Sequence, residues 1–223
     1  MQFTYHIDSG KSTLLVDGDL HKYIFKVRRH NKDQNIFFRN LNDNNIYEYK
    51  VDIIDKKKTT LTLIKFEEKI INNSKKLHVA WCIIDPKNIE KQIASLNELG
   101  VSKITFIYCE YSQKKYKPNL EKLQKLLINS SQQSGRSNII SLDYCDSLDD
   151  FLKNNPNSYM FNFSSNHISN SSSSIDTIIL GCEGGFSQNE INKFDNTKIV
   201  GINSNIILKS ETAIVTLASK ILV

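Results

Sequence analysis

Leu77-His78-Val79-Ala80-Trp81-Cys82-Ile83-Ile84-Asp85-Pro86 marks a change in the pattern of the chain. Positions 77–84 are almost continuously apolar, without alternation. That is the signature of a strand buried on both faces, as in a parallel sheet. Asp85-Pro86 then supplies an N-cap and a first-turn proline, so a helix is expected up to Leu99, stopped by Gly100. Downstream the alternation continues. Strands are expected over 102–108, 139–142, 158–163, 177–180 and 198–202. Helices are expected over 118–134, stopped by Gly135, and over 147–153 and 187–194, with a last helix over 211–222 capped by Ser210. The Ser/Asn-rich residues 164–174 read as a flexible surface loop without chemistry. Strands alternating with helices specify an α/β domain on a parallel sheet.

Upstream the pattern is different. Thr13-Leu14-Leu15-Val16 ends at Asp17-Gly18, Asn35–Phe38 is a short strand, and residues 46–53 and 59–66 alternate as half-buried strands do. Short strands separated by turn signals point to a small β-barrel. The polar bridge 69–76 is the candidate linker, giving domains 1–70 and 71–223.

The chain has 223 residues, 39% hydrophobic and 24% charged, enough for two domains with real cores. No apolar run is long enough to span a membrane, and the first residues lack a signal pattern, so a cytoplasmic protein is expected. The four cysteines, Cys82, Cys109, Cys145 and Cys182, are too widely spaced for a zinc site and read as buried free thiols; no metal is expected. The net charge of +5 is compatible with a polyanionic partner. Of the four arginines, Arg28, Arg29 and Arg39 concentrate phosphate-gripping guanidinium groups early in the chain.

Four segments carry candidate chemistry. Gly181-Cys182-Glu183-Gly184-Gly185-Phe186 holds three of the eight glycines, between a buried strand and a helix whose start, Ser187 with Glu190, is a capping box. Glycines there permit positive φ and close approach of a ligand to backbone, at the strand ends where open α/β sheets bind ligands. The spacing is neither GxGxxG nor a P-loop, and a plain tight turn is the alternative. In Leu208-Lys209-Ser210-Glu211-Thr212-Ala213 an apolar segment turns into a helix; Glu211 suits either a site or the helix dipole. His21-Lys22-Tyr23-Ile24-Phe25-Lys26-Val27-Arg28-Arg29 interleaves basic and aromatic residues, as an RNA contact or as a solvated amphipathic helix. Ser131-Gln132-Gln133-Ser134-Gly135-Arg136 places the fourth arginine beside a C-cap glycine.

Together and in this order, these segments resemble the RsmE family, the 16S rRNA (uracil-N3)-methyltransferases. The family's early His and Val-Leu-Arg find His21 and Val27–Arg29. Its Lys and Glu-Leu-Gly-Val find Lys87 and Glu98–Val101. Its Glu-Gln-x-x-Arg finds Gln132–Arg136, its Gly-Pro-Glu-Gly-Gly-Phe-Ser-x-x-Glu finds Gly181–Glu190, and its Leu-Arg-x-Glu-Thr-Ala finds Leu208–Ala213. Cys182, Gln132 and Lys209 replace a proline, a glutamate and an arginine. Asn203-Ser204 stands where the family has Leu-Gly, and Ile206 where it has arginine.

The resemblance implies a PUA-like β-barrel over 1–70 that binds RNA and a SPOUT α/β methyltransferase domain with a trefoil knot over 71–223. It also implies a homodimer. The implied activity is methylation of uracil N3 in 16S rRNA of the small ribosomal subunit, with S-adenosylmethionine as cofactor. Leu180, Gly181, Gly184, Gly185, Ile202 and Leu208 would hold that cofactor, and His21, Lys26, Arg28 and Arg29 would contact RNA. Arg28 and Arg136 would grip phosphate or stabilise the uracil anion, and Glu183 or Glu211 would accept the proton. A noncatalytic RNA-binding protein of the same fold, a methyltransferase for another RNA site and a nucleotide-binding enzyme are the alternatives.

Overall fold

The computed structural model describes residues 2–223. The chain divides into two compact units: residues up to Asn72 together with Ser131–Asn138, and Asn73–Ser130 together with Ile139–Val223.

The second unit is built on a six-stranded, all-parallel sheet. Its strands are β6 (His78–Cys82), β7 (Lys103–Ile107), β8 (Ser141–Cys145), β9 (Tyr159–Phe161), β10 (Thr177–Leu180) and β11 (Ile199–Val200), in spatial order β11-β9-β10-β6-β7-β8. β6 is central, and Val79, Ala80, Trp81 and Cys82 have no exposed surface; this is why its sequence is apolar without alternation. α2 (Pro86–Leu99) follows it. Asp85 accepts from the Lys87 amide, Pro86 opens the helix, and Gly100 closes it at φ +94°. A Cβ on Gly100 would also lie 2.8 Å from the Asn73 side chain, so shape and φ both demand glycine here. α3 (Leu120–Ser134), α4 (Leu148–Asn154), the short α6 (Gln188–Ile191) and α7 (Ser210–Leu222) are the other long or capped helices; α4 starts at Ser147, which accepts from the Asp150 amide.

Residues 164–174 differ from the flexible loop expected of their composition. They form α5 (Ile168–Ser171) and a 3-10 turn, Ser172–Ser174. Ile168 and Ile175 are buried and pin the segment down. The backbone is tied as well: Ile168 donates to the Gly201 carbonyl at 2.8 Å, and the Gly201 amide donates to the Asn166 carbonyl at 2.9 Å. A Cβ at Gly201 would fall 2.7 Å from the Asn162 carbonyl oxygen. The chain after β11 and the chain after β9 therefore pass at backbone contact distance, where only glycine fits.

The cysteines also differ from expectation. Cys82 and Cys109 form a disulfide with Cα atoms 5.8 Å apart, while Cys145 and Cys182 are free. The two are 27 residues apart in sequence but lie at the same end of adjacent parallel strands, β6 and β7.

The first unit carries a mixed five-stranded sheet in the order β1-β3-β4-β5-β2, from β1 (Thr4–Tyr5), β2 (Thr13–Asp17), β3 (Ile36–Arg39), β4 (Asn45–Ile54) and β5 (Lys58–Glu68). β1 pairs parallel with β3 and the rest are antiparallel, with register shifts in the β4–β5 ladder that bend it. Leu14, Val16, Ile24, Ile36, Phe38, Tyr49, Val51 and Leu61 form its core. Arg39 belongs to that interior rather than to a phosphate-gripping surface. It is fully buried, and its Nη atoms donate to the Asn44 carbonyl at 3.0 Å and the Lys69 carbonyl at 2.8 Å. Those bonds tie the guanidinium to main chain at strand ends and offset part of the cost of burying it. Ser131–Asn138, expected in the second domain, groups with this unit. Gln132 Oε1 accepts from the Tyr5 amide at 2.9 Å, and the Ser137 amide donates to the Ile71 carbonyl at 3.0 Å.

Candidate functional site

The glycine turn is shaped by its own packing. The Gly185 amide donates to the Cys182 carbonyl at 3.0 Å, closing the turn, and Gly185 has φ +70°. A Cβ on Gly181 would sit 3.1 Å from the Gly185 Cα and 3.2 Å from the Phe186 ring; one on Gly184 would sit 3.0 Å from Tyr111 Cβ. The turn ends in the expected capping box. Ser187 Oγ accepts from the Glu190 amide, and Glu190 Oε2 accepts from the Ser187 amide at 2.9 Å. The second oxygen of this buried carboxylate accepts from the Glu110 amide at 2.9 Å, so one side chain holds both the turn and the loop after β7.

Ser210 does not cap α7. The N-cap is Lys209, without a side-chain capping bond. The Ser210 hydroxyl instead donates to the Gly181 carbonyl at 2.7 Å and accepts from Trp81 Nε1 at 2.9 Å. Both partners are buried, so the hydroxyl is worth more as a bridge between β6 and the glycine turn than as a cap. This Trp81–Ser210–Gly181 chain fixes the helix start against the turn, and the sequence shows no sign of it.

These elements enclose a cavity of about 770 Å³. Its lining includes Leu180, Gly181, Glu183, Gly184, Gly185, Ile202, Leu208 and Glu211, eight of the residues singled out from sequence, all in the second unit. It also includes Asn88, Phe161, Asn162, Phe163 and Ser164, which the sequence reading missed. Asn88 lies in the first turn of α2, and the rest are placed only by position: Phe161 ends β9 and Asn162, Phe163 and Ser164 follow it, at the carboxyl end of the strand beside β10, and strand order is not legible in sequence. The charged lining residues are Glu183, Glu211 and Lys209, a net of one negative charge. Glu183 is exposed, whereas Glu211 is half-buried and its Oε2 is buried without a hydrogen-bond partner among the described residues. Burial pushes the Cys182 thiol pKa up, which makes it a poor nucleophile.

The remaining site candidates lie in the first unit. His21 lies in the last turn of the short α1 (Gly18–Lys22), which runs on as a π-helical turn, Tyr23–Val27. His21 is only 4% exposed, with its ring 4.9 Å from Phe25. It is turned inward, beside the buried Ile24. Lys26 and Arg29 are exposed. Arg28 is half-buried, its Nε donating to Tyr23 Oη at 2.9 Å and its guanidinium 4.8 Å from that ring's centroid. Arg136 is buried, its Nε donates to Asn138 Oδ1 at 2.8 Å, and desolvation lowers its pKa to about 10, still charged at neutral pH. Among the described residues no group of three or more His, Cys, Asp or Glu could hold a metal, and no helix is long and apolar enough to cross a membrane.

The model of the RNA methyltransferase domain family matches residues 72–222. Ribosomal RNA small subunit methyltransferase E of Helicobacter pylori (strain J99) is 35% identical, with 98% of each chain covered. The protein of the same name from Rickettsia conorii (strain Malish 7) is 31% identical over 65% of this chain and 63% of its own. Among solved structures, ribosomal RNA small subunit methyltransferase E from Neisseria gonorrhoeae, bound to S-adenosyl methionine, superposes with a TM-score of 0.79 at 14% identity, covering 98% of this chain and 95% of that one. The Legionella pneumophila protein Lpg2936, solved with bound SAM, gives 0.75 at 21% identity with the same coverage. The last two similarities show the shared fold.

Proposed function

The chain belongs to the RNA methyltransferase domain family, and from that premise we propose that it transfers the methyl group of S-adenosylmethionine to N3 of a uracil in 16S rRNA of the small ribosomal subunit. The carrying observation is that the glycine turn and the start of α7, far apart in sequence, line one cavity in the family-matched unit. The relative named ribosomal RNA small subunit methyltransferase E, matched over 98% of both chains, and the cofactor named with two structures of the same fold, support the assignment.

The cavity suits that cofactor. Its volume lies in the roughly 300–1,000 Å³ range of small-molecule sites. Phe161, Leu180, Ile202, Ile207 and Leu208 offer apolar surface to a flat base, and the glycines bring main-chain groups close. A lining with two carboxylates and one lysine favours a sulfonium over the polyphosphate of a nucleotide, so the nucleotide-binding alternative loses its footing.

When bound, the cofactor supplies an electrophilic methyl group on a sulfonium. Leu180, Gly181, Gly184, Gly185, Ile202 and Leu208 hold and aim it, largely through backbone; alignment of this kind supplies much of a rate enhancement. The acceptor N3 must give up its proton. Glu211 is the better placed acceptor, since it lines the cavity half-buried and one of its carboxylate oxygens has no hydrogen-bond partner among the described residues, whereas Glu183 is exposed. Arg28 and Arg136 hold phosphate or stabilise the uracil anion, and Lys26 and Arg29 add backbone contacts. Glu211→Gln should then lower kcat strongly and leave S-adenosylhomocysteine affinity nearly unchanged. Arg136→Ala should cut turnover on ribosomal subunits while sparing cofactor binding.

The finer architecture goes with this reading: a PUA-like barrel in the first unit, a trefoil knot in the second, and a cytoplasmic homodimer. The decisive experiment is mass spectrometry of 16S rRNA from a deletion strain. Loss of one 3-methyluridine is expected; an unchanged modification set would overturn the assignment. A noncatalytic RNA binder would in addition show no heat of S-adenosylhomocysteine binding.

A further inference from the structure

The loop between β7 and α3 carries a group of residues that the cavity does not use: Tyr111, Lys114, Lys115, Tyr116 and Lys117. Tyr111 is 52% exposed, although its Cβ is seated against Gly184, where an added Cβ would come within 3.0 Å. The root and one edge of the ring are thus fixed on the glycine turn, and the rest of the ring is open to solvent, beside the cavity rather than in its lining. The three lysines are exposed, and none has a carboxylate partner in an ion pair among the described residues. Lys115 lies 5.3 Å from the Tyr116 ring centroid and Lys117 5.4 Å from that of Tyr144. The nearby exposed carboxylates are Glu110 and Glu183, so the loop from 110 to 117 carries three positive charges against one negative.

The loop is braced. The Cys109 amide donates to Ser112 Oγ at 3.1 Å, and the Ser112 amide donates back to the Cys109 carbonyl at 3.0 Å. The Glu110 amide is held by the buried Glu190 carboxylate, Cys109 by its disulfide to Cys82, and Tyr108 Oη donates to the Tyr116 carbonyl at 2.9 Å. An aromatic face held at the edge of a reactive cavity, followed by lysines without carboxylate partners, has the chemistry of a single-stranded nucleic-acid platform: the ring stacks a base and the ammonium groups follow its phosphates.

We propose that Tyr111 with Lys114, Lys115 and Lys117 forms a second RNA-binding surface on the α/β unit, one that stacks an unpaired nucleotide flanking the target base and grips the adjoining phosphates. This rests on the RNA methyltransferase reading above. It adds a surface separate from the basic segment 21–29.

The test uses the full chain, small ribosomal subunits lacking the modification, and four measurements: KM for subunits, kcat, S-adenosylhomocysteine affinity by calorimetry, and the salt dependence of RNA binding. Tyr111→Ala keeps the Cβ that packs on Gly184, so cofactor affinity should hold while KM for RNA rises on the order of 10-fold. Tyr111→Phe should restore it, because the ring and not the hydroxyl does the stacking. Replacing Lys114, Lys115 and Lys117 together by alanine should flatten the log–log salt slope by about 2, at roughly 0.7 per phosphate for single strands. Tyr111→Ala should leave that slope unchanged, which a general loosening of the fold would not. If Tyr111→Ala and the triple variant both bind and turn over RNA as the unaltered protein does, the platform is overturned. If the unaltered protein itself binds neither S-adenosylhomocysteine nor RNA, the functional reading falls first and takes the platform with it.

Discussion

The glycine turn at 181–185 and the basic segment at 21–29 are built on opposite principles. The turn offers main chain. Its shape is set by three missing side chains, a positive φ at Gly185 and the hydroxyl of Ser210 on the Gly181 carbonyl. The basic segment offers side chains, and their availability depends on which way a short helical turn faces: Lys26 and Arg29 point out, Arg28 is half-engaged with Tyr23, and His21 is turned in. A site made of backbone tolerates almost no substitution at its glycines yet is indifferent to many neighbours. A site made of side chains degrades one contact at a time.

That contrast predicts a ladder of effects. Gly181→Val should be the most damaging, because the added atoms meet the Gly185 backbone at 3.1 Å, which cannot yield as a side-chain tip can. S-adenosylhomocysteine binding should fall by more than about 100-fold, on the order of 3 kcal/mol, the upper range of overpacking costs. Retention of binding in calorimetry would show that the turn is not the cradle. Ser210→Ala comes next. It strands a buried indole N–H and removes the donor to the Gly181 carbonyl, at about 1–3 kcal/mol. Melting should drop by roughly 2–10 °C for a chain of this size. Trp81 is the only tryptophan, so its emission reports this bond directly, and Ser210→Thr should keep the spectrum.

Side-chain losses in the basic segment should be milder and additive. Arg28→Ala should weaken RNA binding several-fold with no change in cofactor affinity, since Arg28 lies outside the cavity lining. An equal loss of cofactor binding would collapse the distinction between the two regions. Lys26→Ala should have the smallest effect: a few-fold in affinity and a salt slope flatter by about 0.7–0.9, one phosphate contact's worth. A larger effect would move Lys26 into the reacting centre.

Much of this arrangement is legible in the residues themselves. Asp85-Pro86 and Gly100 bracket α2 as their chemistry requires, and Ser187 with Glu190 makes the box that their spacing announces. Both are local: capping satisfies orphan helix amides with atoms a few residues away. Elsewhere locality misleads. Ser210 has the composition of a cap and serves as a bridge. His21 and Arg39 have the composition of an RNA-binding surface and are buried. Residues 164–174 have the composition of a loose loop and are pinned by Ile168 and Ile175.

By itself the sequence determined the α/β alternation, the helix ends and the turn whose glycines admit a ligand, because each follows from steric and hydrogen-bonding demands within a few residues. The tertiary structure alone decided what stands across from that turn. Phe161–Ser164 completes the cavity because β9 lies beside β10. Cys82 meets Cys109 because β6 lies beside β7. Strand order is a property of the whole sheet's packing, and no stretch of residues encodes it locally.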